Sequence, residues 1–422
     1  MANIAAISQL TAEKGIEALK ADTDPLLKVV DKTYSKTFAD KTYQSGATVR
    51  IRVEDQPAPP QNQTAFSNDP ILQTERTITA SNWTTGLEVG AQFENLDIGG
   101  EDLLENRVNK ARMSRMATQI AQIGYDSLRY GQRTVTSVPA GTALKTASDF
   151  GNYQAAMADM MANDDLYVAM QPADMAGIAG DLATRFNPTQ DSATAYLRGV
   201  VKESMNMNFY STTLIPFHTN GSAAGTGTAG MYLSVNVASG DTSITVAGNT
   251  VASGTITKGT IIYFPGNGID TGANEVNPVT QQQNGNGAAF TVAADVTLSS
   301  GAGVITLTQA IYGPEQPKLQ NVSRLPTVSG TAAYVQIYGT PSHTYRQMFF
   351  FRKESSLAMV GLKSAELIRA DNGIAYYDGM PLQTRASSDV LNLVNIMRVD
   401  FLGGAAIKQY RHCMRAFTKD MG

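Results

Sequence analysis

The sequence predicts a mixed α and β chain (α+β), a body of alternating helices and strands interrupted at about residues 219–340 by a charge-poor, β-rich insertion. Three observations carry this. Charge is unevenly spread: 8 of the 122 residues in that stretch are Asp, Glu, Lys or Arg, against 62 of the other 300. Outside the stretch, apolar residues recur at helical spacing over two long runs. Inside it, short alternating runs are separated by Gly-, Ser- and Asn-rich turns, the pattern of a small barrel or sandwich.

At 422 residues the chain can build several hydrophobic cores. No apolar run approaches the roughly 18 to 20 residues that a membrane-spanning helix needs. Met1-Ala2-Asn3-Ile4 lacks the basic start and apolar core of a signal peptide, so a soluble protein made in the cytoplasm is expected. A formal charge of −4 argues against whole-molecule attraction to nucleic acid and leaves a local basic patch open. The single cysteine, Cys413, excludes an internal disulfide and fits a reducing compartment. His218, His343 and His412 are scattered. Only His412 has a cysteine beside it, and adjacent side chains rarely chelate one ion.

Along the chain, Ile4, Ile7, Leu10 and residues 16–19 give a helical stripe, and Asp24-Pro25 opens a second short helix through Val30. Residues 48–54 alternate with period two, one face apolar and the other charged or polar. Residues 56–68 hold Pro57, Pro59 and Pro60, which no regular ladder tolerates, so they read as an exposed tip. Alternation resumes over residues 73–82 and again at Leu87, Val89, Ala91 and Phe93. The result is an extended hairpin with little apolar surface, marginal alone and expected to rest on a neighbour.

Gly99-Gly100 closes that region, and Glu101-Asp102 places acids at the positive end of a helix. Leu104, Val108, Ala111, Met116, Ile120, Ile123 and Leu128 line one face of it to about Tyr130. Arg107, Lys110, Arg112, Arg115 and Arg129 lie mostly off that face, a solvated surface by preference over a nucleic-acid one. Residues 148–161 read as a helix capped by Ser148 or Asp149, residues 166–170 as a buried strand, and Pro172 opens a helix through Phe186. A further strand is expected at residues 208–217.

Within the insertion, strands are expected at residues 243–246, 260–264, 290–298, 304–308 and 334–338, and residues 281–287 read as a polar turn. After it, residues 348–351 and 357–361 look like buried strands. Strands at 382–385 and 394–400 flank a Ser387-Ser388-Asp389 turn, and residues 403–417 complete the fold.

Catalytic motifs do not emerge. There is no Walker-type phosphate loop, no HExxH and no paired CxxC. The glycine-rich residues 221–230 lack the lysine and following helix of a phosphate site, so they read as a linker. Asp164-Asp165 reads as a solvated turn before a strand rather than a metal or acid–base pair. The Gln/Asn runs near 56–68 and 281–286 read as solvated loops, and Met157, Met160, Met161, Met205 and Met207 as core filling. His412 and Cys413 diverge on either a strand or a helix, which speaks against a nucleophile–base pair.

The order of elements resembles the major coat proteins of short-tailed bacteriophages of the Salmonella and Shigella type, which carry the Hong Kong 97 capsid fold with an inserted β-barrel. Local strings support the order. Tyr167-Val168-Ala169-Met170-Gln171-Pro172 resembles the family's strand-to-helix step. Thr257-Lys258-Gly259-Thr260-Ile261-Ile262-Tyr263-Phe264 resembles its Lys-Gly-Asp strand, with Thr260 in place of the acid, so no role is carried onto Thr260. Ile311-Tyr312 through Asn321-Val322-Ser323-Arg324, and Met397-Arg398-Val399-Asp400-Phe401-Leu402, have counterparts near the end of the insertion and in the peripheral domain.

The resemblance implies this division: an N-terminal arm (1–41), an extended loop hairpin (42–94) and a peripheral domain with a spine helix (95–146). There follow a first axial part (147–218), the inserted β-barrel (219–340), a second axial part (341–378), peripheral strands (379–402) and a C-terminal segment (403–422). It implies a non-enzymatic subunit, without cofactor or metal, that forms the hexamers and pentamers of an icosahedral shell around double-stranded DNA. A scaffolding protein, a portal, decoration proteins and weak contact with packaged DNA are the partners implied; no membrane is. The virion is its place, with assembly in the host cytoplasm. Arg52, Glu54, Glu75 and Arg76 on the hairpin are the candidate intersubunit contacts. Two other readings stay open: a sugar-binding adhesin or spike with the insertion as receptor module, and an enzyme with a site that no motif reveals.

Overall fold

The computed structural model of the chain describes residues 13, 24–38, 42–54, 73–90, 109–131, 133–162, 164–185, 203, 204, 206–223, 231–248, 253–265, 272–328, 334–364, 371–377, 379–389 and 394–422. The expected first arm helix, the proline-rich tip, the start of the spine helix and most of the glycine-rich linker lie outside these residues. The chain divides into two units, one of residues 1–52, 75–127 and 357–408, the other of residues 53–74, 128–356 and 409–422.

The period-two pattern gives the strands Thr48–Glu54 and Gln73–Thr79, which form a two-stranded sheet. Val49 and Ile51 turn inward and Arg50 and Arg52 outward, as alternation requires. The strand Ser81–Gly90 belongs to another sheet, centred on the long strand Val394–Ile407. That strand pairs with Met380–Asp389 on one side and with Ser81–Gly90 and then Leu357–Ser364 on the other. Ser387, Ser388 and Asp389, read as a turn, are paired strand residues: Ser387 faces Ile396 and Asp389 faces Val394. Polar composition misled there because ladder bonds depend on the backbone and not on the side chain.

The spine helix runs Asn109–Leu128 among the described residues. Met116, Ile120 and Leu128 are buried as their spacing predicts, and Ala117, Ala121 and Tyr125 widen the stripe. The Tyr125 hydroxyl donates to Asp24 Oδ1 at 2.7 Å, which fixes the short helix Leu26–Val29 against it.

The second unit has two layers of different kind. Its mixed sheet runs in the order Cys413–Asp420, Thr344–Arg352, Leu166–Met170, Met207–Ser211, Glu203–Ser204, with His218–Thr219 paired to the second of these. Leu166–Met170 and Met207–Ser211 are parallel, joined through the helix Pro172–Arg185. Helix Ala147–Ala158 packs on the same core, which includes Phe150, Tyr153, Leu166, Val168 and Phe350. Its cap is Thr146, not Ser148 or Asp149. Thr146 Oγ1 accepts from the Asp149 amide at 3.2 Å while the Asp149 carboxylate accepts from the Thr146 amide at 2.9 Å, a reciprocal capping box. The helix stops before Met160 and Met161, the latter at φ +60°.

The β-rich stretch builds a six-stranded sheet in the order Ala289–Thr291, Ile261–Tyr263, Tyr334–Ile337, Met231–Leu233, Asp241–Gly248, Gly303–Ile311. The first and last strands nearly meet, through a bridge between Val292 and Leu307 and the Ala293 amide on the Thr306 carbonyl at 2.8 Å. The sheet encloses a core of its own, from Ala223 to Ile337. The expected strand at residues 290–298 is two strands, Ala289–Thr291 and Val296–Leu298. Residues 281–287 are not a turn alone. Gln283–Gly287 is a strand paired with Asn274–Val276.

Candidate assembly interface

The hairpin root carries the charged residues that the sequence singles out. Val49 and Ile51 pack with Ile78, Ala80, Ala358, Val360, Leu362 and Leu402. The apolar face therefore rests on strands of its own unit, where a neighbouring subunit was the sequence expectation. What remains outward is polar. Arg52 and Glu75 are exposed and Arg76 is half-buried, while the Glu54 side chain lies outside the described residues. Glu75 is engaged within the chain: its Oε2 accepts from Arg50 NH1 at 3.2 Å across the two strands. Arg50 was not among the candidates, although its place on the polar face of residues 48–54 would have disclosed it. Arg52 contributes its carbonyl to the Tyr34 hydroxyl at 3.4 Å, which leaves its guanidinium to the outward face.

Elsewhere, the titratable groups that could suggest chemistry are tied into structure. Asp164 is exposed and faces Arg352 at 3.6 Å, and the Asp165 carbonyl accepts from the Lys353 amide. The His412 ring meets the Ser355 hydroxyl at 2.8 Å. Burial pushes the Cys413 thiol up to about 12, so the thiolate a nucleophile needs is suppressed. Among the described residues no group of three or more His, Cys, Asp or Glu side chains is placed to hold a metal ion.

In the second unit the most charged contact is buried, not displayed. Arg133 makes a two-pronged ion pair with Glu275, Nε to Oε1 and NH2 to Oε2, both at 2.8 Å. The remaining donors reach the carbonyls of Ala156 and Arg411, each at 2.8 Å. Asn286 supports Glu275 at 3.0 Å and reaches back to the Thr134 carbonyl, while its own Oδ1 accepts from the Thr136 amide. These bonds tie the Asn274–Gly287 hairpin to the segment after the spine helix.

The surface thus offers a charged hairpin and polar seams, and the sequence identifies the protein type. The chain matches the model of the P22 coat protein (gene protein 5) family over residues 1–412. It belongs to that family. As a member of it, the chain is a structural major capsid protein of a bacteriophage. No curated protein matches the chain in sequence. Among solved structures it is similar to the capsid of the cyanophage P-SCSP1u, at 11% identity and TM-score 0.42 over 89% of this chain and 85% of that one. It is also similar to the capsid of Ralstonia phage GP4, at 7% identity and TM-score 0.43 over 93% and 92%. A protein of Mycobacterium phage Che8 compares at 10% identity and TM-score 0.41 over 92% and 88%. Likeness at this level decides nothing, and the family assignment rests on the sequence match.

Proposed function

We propose that this chain is the subunit of an icosahedral phage head of Hong Kong 97 architecture, with residues 219–340 as an inserted β-barrel. The observation that carries the reading is the family match over residues 1–412. The nearly closed six-stranded sheet with its own core supports the inserted barrel. In this reading the domain order is that of the sequence expectation: arm, hairpin, spine, two-part axial domain and peripheral strands around the insertion.

The hairpin is the element that reaches a neighbouring subunit, with Arg52, Glu54, Glu75 and Arg76 as its charged contacts. The in-chain pair of Arg50 and Glu75 holds the register of the two strands, so the outward charges are presented in fixed order. Each exposed ion pair contributes about 0.2 to 1 kcal/mol. Repeated over the many contacts of a shell, such weak terms suffice for assembly through multivalency. Hexamers and pentamers form on a scaffolding protein around a portal in the host cytoplasm, decoration proteins add to the finished shell, and packaged DNA touches the shell only weakly, in keeping with the net charge of −4.

The test is assembly. The full chain, purified with and without a co-expressed scaffolding protein, is sedimented and imaged by electron microscopy. Closed shells of uniform size are expected. Monomers under every assembly condition would refute the reading.

A further inference from the structure

His218 stands where the β-rich stretch meets the mixed sheet of its own unit. It lies on the two-residue strand His218–Thr219, registered against Tyr345, and is fully buried with its ring stacked on Phe417 at 5.4 Å. Nε2 lies 3.1 Å from Asn220 Oδ1 and 3.4 Å from Thr260 Oγ1. The Asn220 amide nitrogen donates to the carbonyls of Tyr338 and Thr340, so its Oδ1 must accept and Nε2 carries the imidazole proton. Nδ1 is then a bare lone pair without a hydrogen-bond partner in the protein. A second proton would enter there.

The charges around that ring share one sign. Arg415, on the strand Cys413–Asp420, is fully buried and donates to the Gly259 carbonyl at 2.8 Å, Thr291 Oγ1 at 3.1 Å and Gln347 Oε1 at 3.3 Å, all neutral acceptors. Arg129, just past the spine helix, brings its Nε to the face of Gly259 that His218 Nδ1 also borders. Gly259 itself holds φ +89° and leaves its side-chain position to these two groups. Lys258 of the same loop is exposed and stands over the Tyr130 ring at 4.5 Å. On the same sheet row, beyond Tyr345, lies Asp420, which is exposed and engaged by His343 and by the Gly422 amide. Burial first, then Arg415 and Arg129, depress the His218 pKa to about 3.

We propose that His218 is a proton-operated latch, whose second proton loosens the seam between residues 257–260 of the β-rich stretch and the sheet before the rest of the unit yields. The inference does not rest on the shell reading. Protonation would add a third positive charge to a ring that two guanidinium groups already act on, and create a buried N–H with no acceptor, at a costly position. The seam it would disturb is held by Thr257 Oγ1 on the Thr219 carbonyl at 2.7 Å, by Arg415 and by Thr291 Oγ1 on the Gly131 carbonyl at 2.9 Å. The sign follows from linkage: the folded pKa lies below the unfolded value of 6.5, so the closed seam is fully favoured above pH 6.5 and loses that advantage progressively as pH falls toward about 3. Between pH 7 and pH 5 the opening equilibrium should rise roughly 25-fold.

Hydrogen–deuterium exchange of the full chain at pH 7, 6 and 5, corrected for intrinsic rate, tests this. Peptides covering residues 257–260 and 289–292 should lose protection while those covering 166–170 and 348–351 keep it. His218→Gln, which cannot titrate, should abolish the change. Thr260→Asp, which sets a carboxylate beside Nε2, should hold the seam closed at pH 5. His412→Gln is the control, because His412 is also buried and held neutral, with a pKa of about 4. Acid opening of all four regions together, a seam indifferent to pH in the unsubstituted chain, or a response lost in His412→Gln and kept in His218→Gln would each overturn the latch.

Discussion

Arg133 and Glu275 show what a single buried pair demands. Both side chains are nearly inaccessible, and every guanidinium nitrogen of Arg133 is engaged by Glu275 or by a backbone carbonyl. Removing one partner strands the other charge in a poorly polarisable interior, so Glu275→Gln should lower the stability of this unit by about 3 to 5 kcal/mol. The double substitution Arg133→Met with Glu275→Leu should recover much of that loss, because the desolvation of both ions disappears with them. Urea denaturation of the three proteins measures it, and a double substitution no better than the single one would show that packing rather than charge sets the cost. Cys413 gives a second residue-scale expectation. Fully buried and with its thiol pushed up to about 12, it should resist alkylation in the native chain and react only after unfolding. Cys413 was legible as a poor nucleophile from its place beside His412, whereas the buried pair was not legible. Glu275 lies between the strands expected at residues 260–264 and 290–298, 142 residues from Arg133, and no local pattern announces a pair at that separation.

Elements whose pattern is repeated along the chain were readable, and those defined by pairing were not. The alternation of Val49, Ile51 and Val53 with charged neighbours gave the first hairpin strand, and the stripe through Met116, Ile120 and Leu128 gave the spine helix. By contrast, the strand Gln283–Gly287 has no apolar residue at all. It pairs with Asn274–Val276, and Asn286 anchors it to Glu275 and, 152 residues back, to the Thr134 carbonyl. The cap of helix Ala147–Ala158 was missed, since Ser148 and Asp149 rank above Thr146 as cap types and only the reciprocal bond between Thr146 and Asp149 decides for Thr146. Thr146→Ala should therefore cost about 0.5 to 2 kcal/mol, while Ser148→Ala should change stability little; paired thermal melts compare them. At the hairpin, the polar face was readable and its partner was not. The apolar face beneath it is covered by Ala358, Val360, Leu362 and Leu402, more than 270 residues later in the chain.

At the scale of the whole molecule, charge is sorted by depth, and this separates assembly from folding. The ion pairs that hold the units lie inside: Arg133 with Glu275, and Arg385 with Asp400. Of the charges proposed to reach a neighbour, Arg52 and Glu75 are exposed, and the in-chain pair of Glu75 with Arg50 also lies in solvent. Screening acts on the second class and spares the first, because the Debye length falls from about 10 Å at 0.1 M salt to about 3 Å at 1 M only where ions can enter. Raising salt over that range should then weaken shell formation while leaving the fold intact. Light scattering should show a higher protein concentration needed for assembly, and the melting temperature of the unassembled chain should move little. Arg52→Ala should reduce the salt response, since it removes one of the screened charges without touching a buried pair. An assembly threshold indifferent to salt, with a melting temperature that falls, would place the decisive charges in the interior and remove the hairpin from the contact.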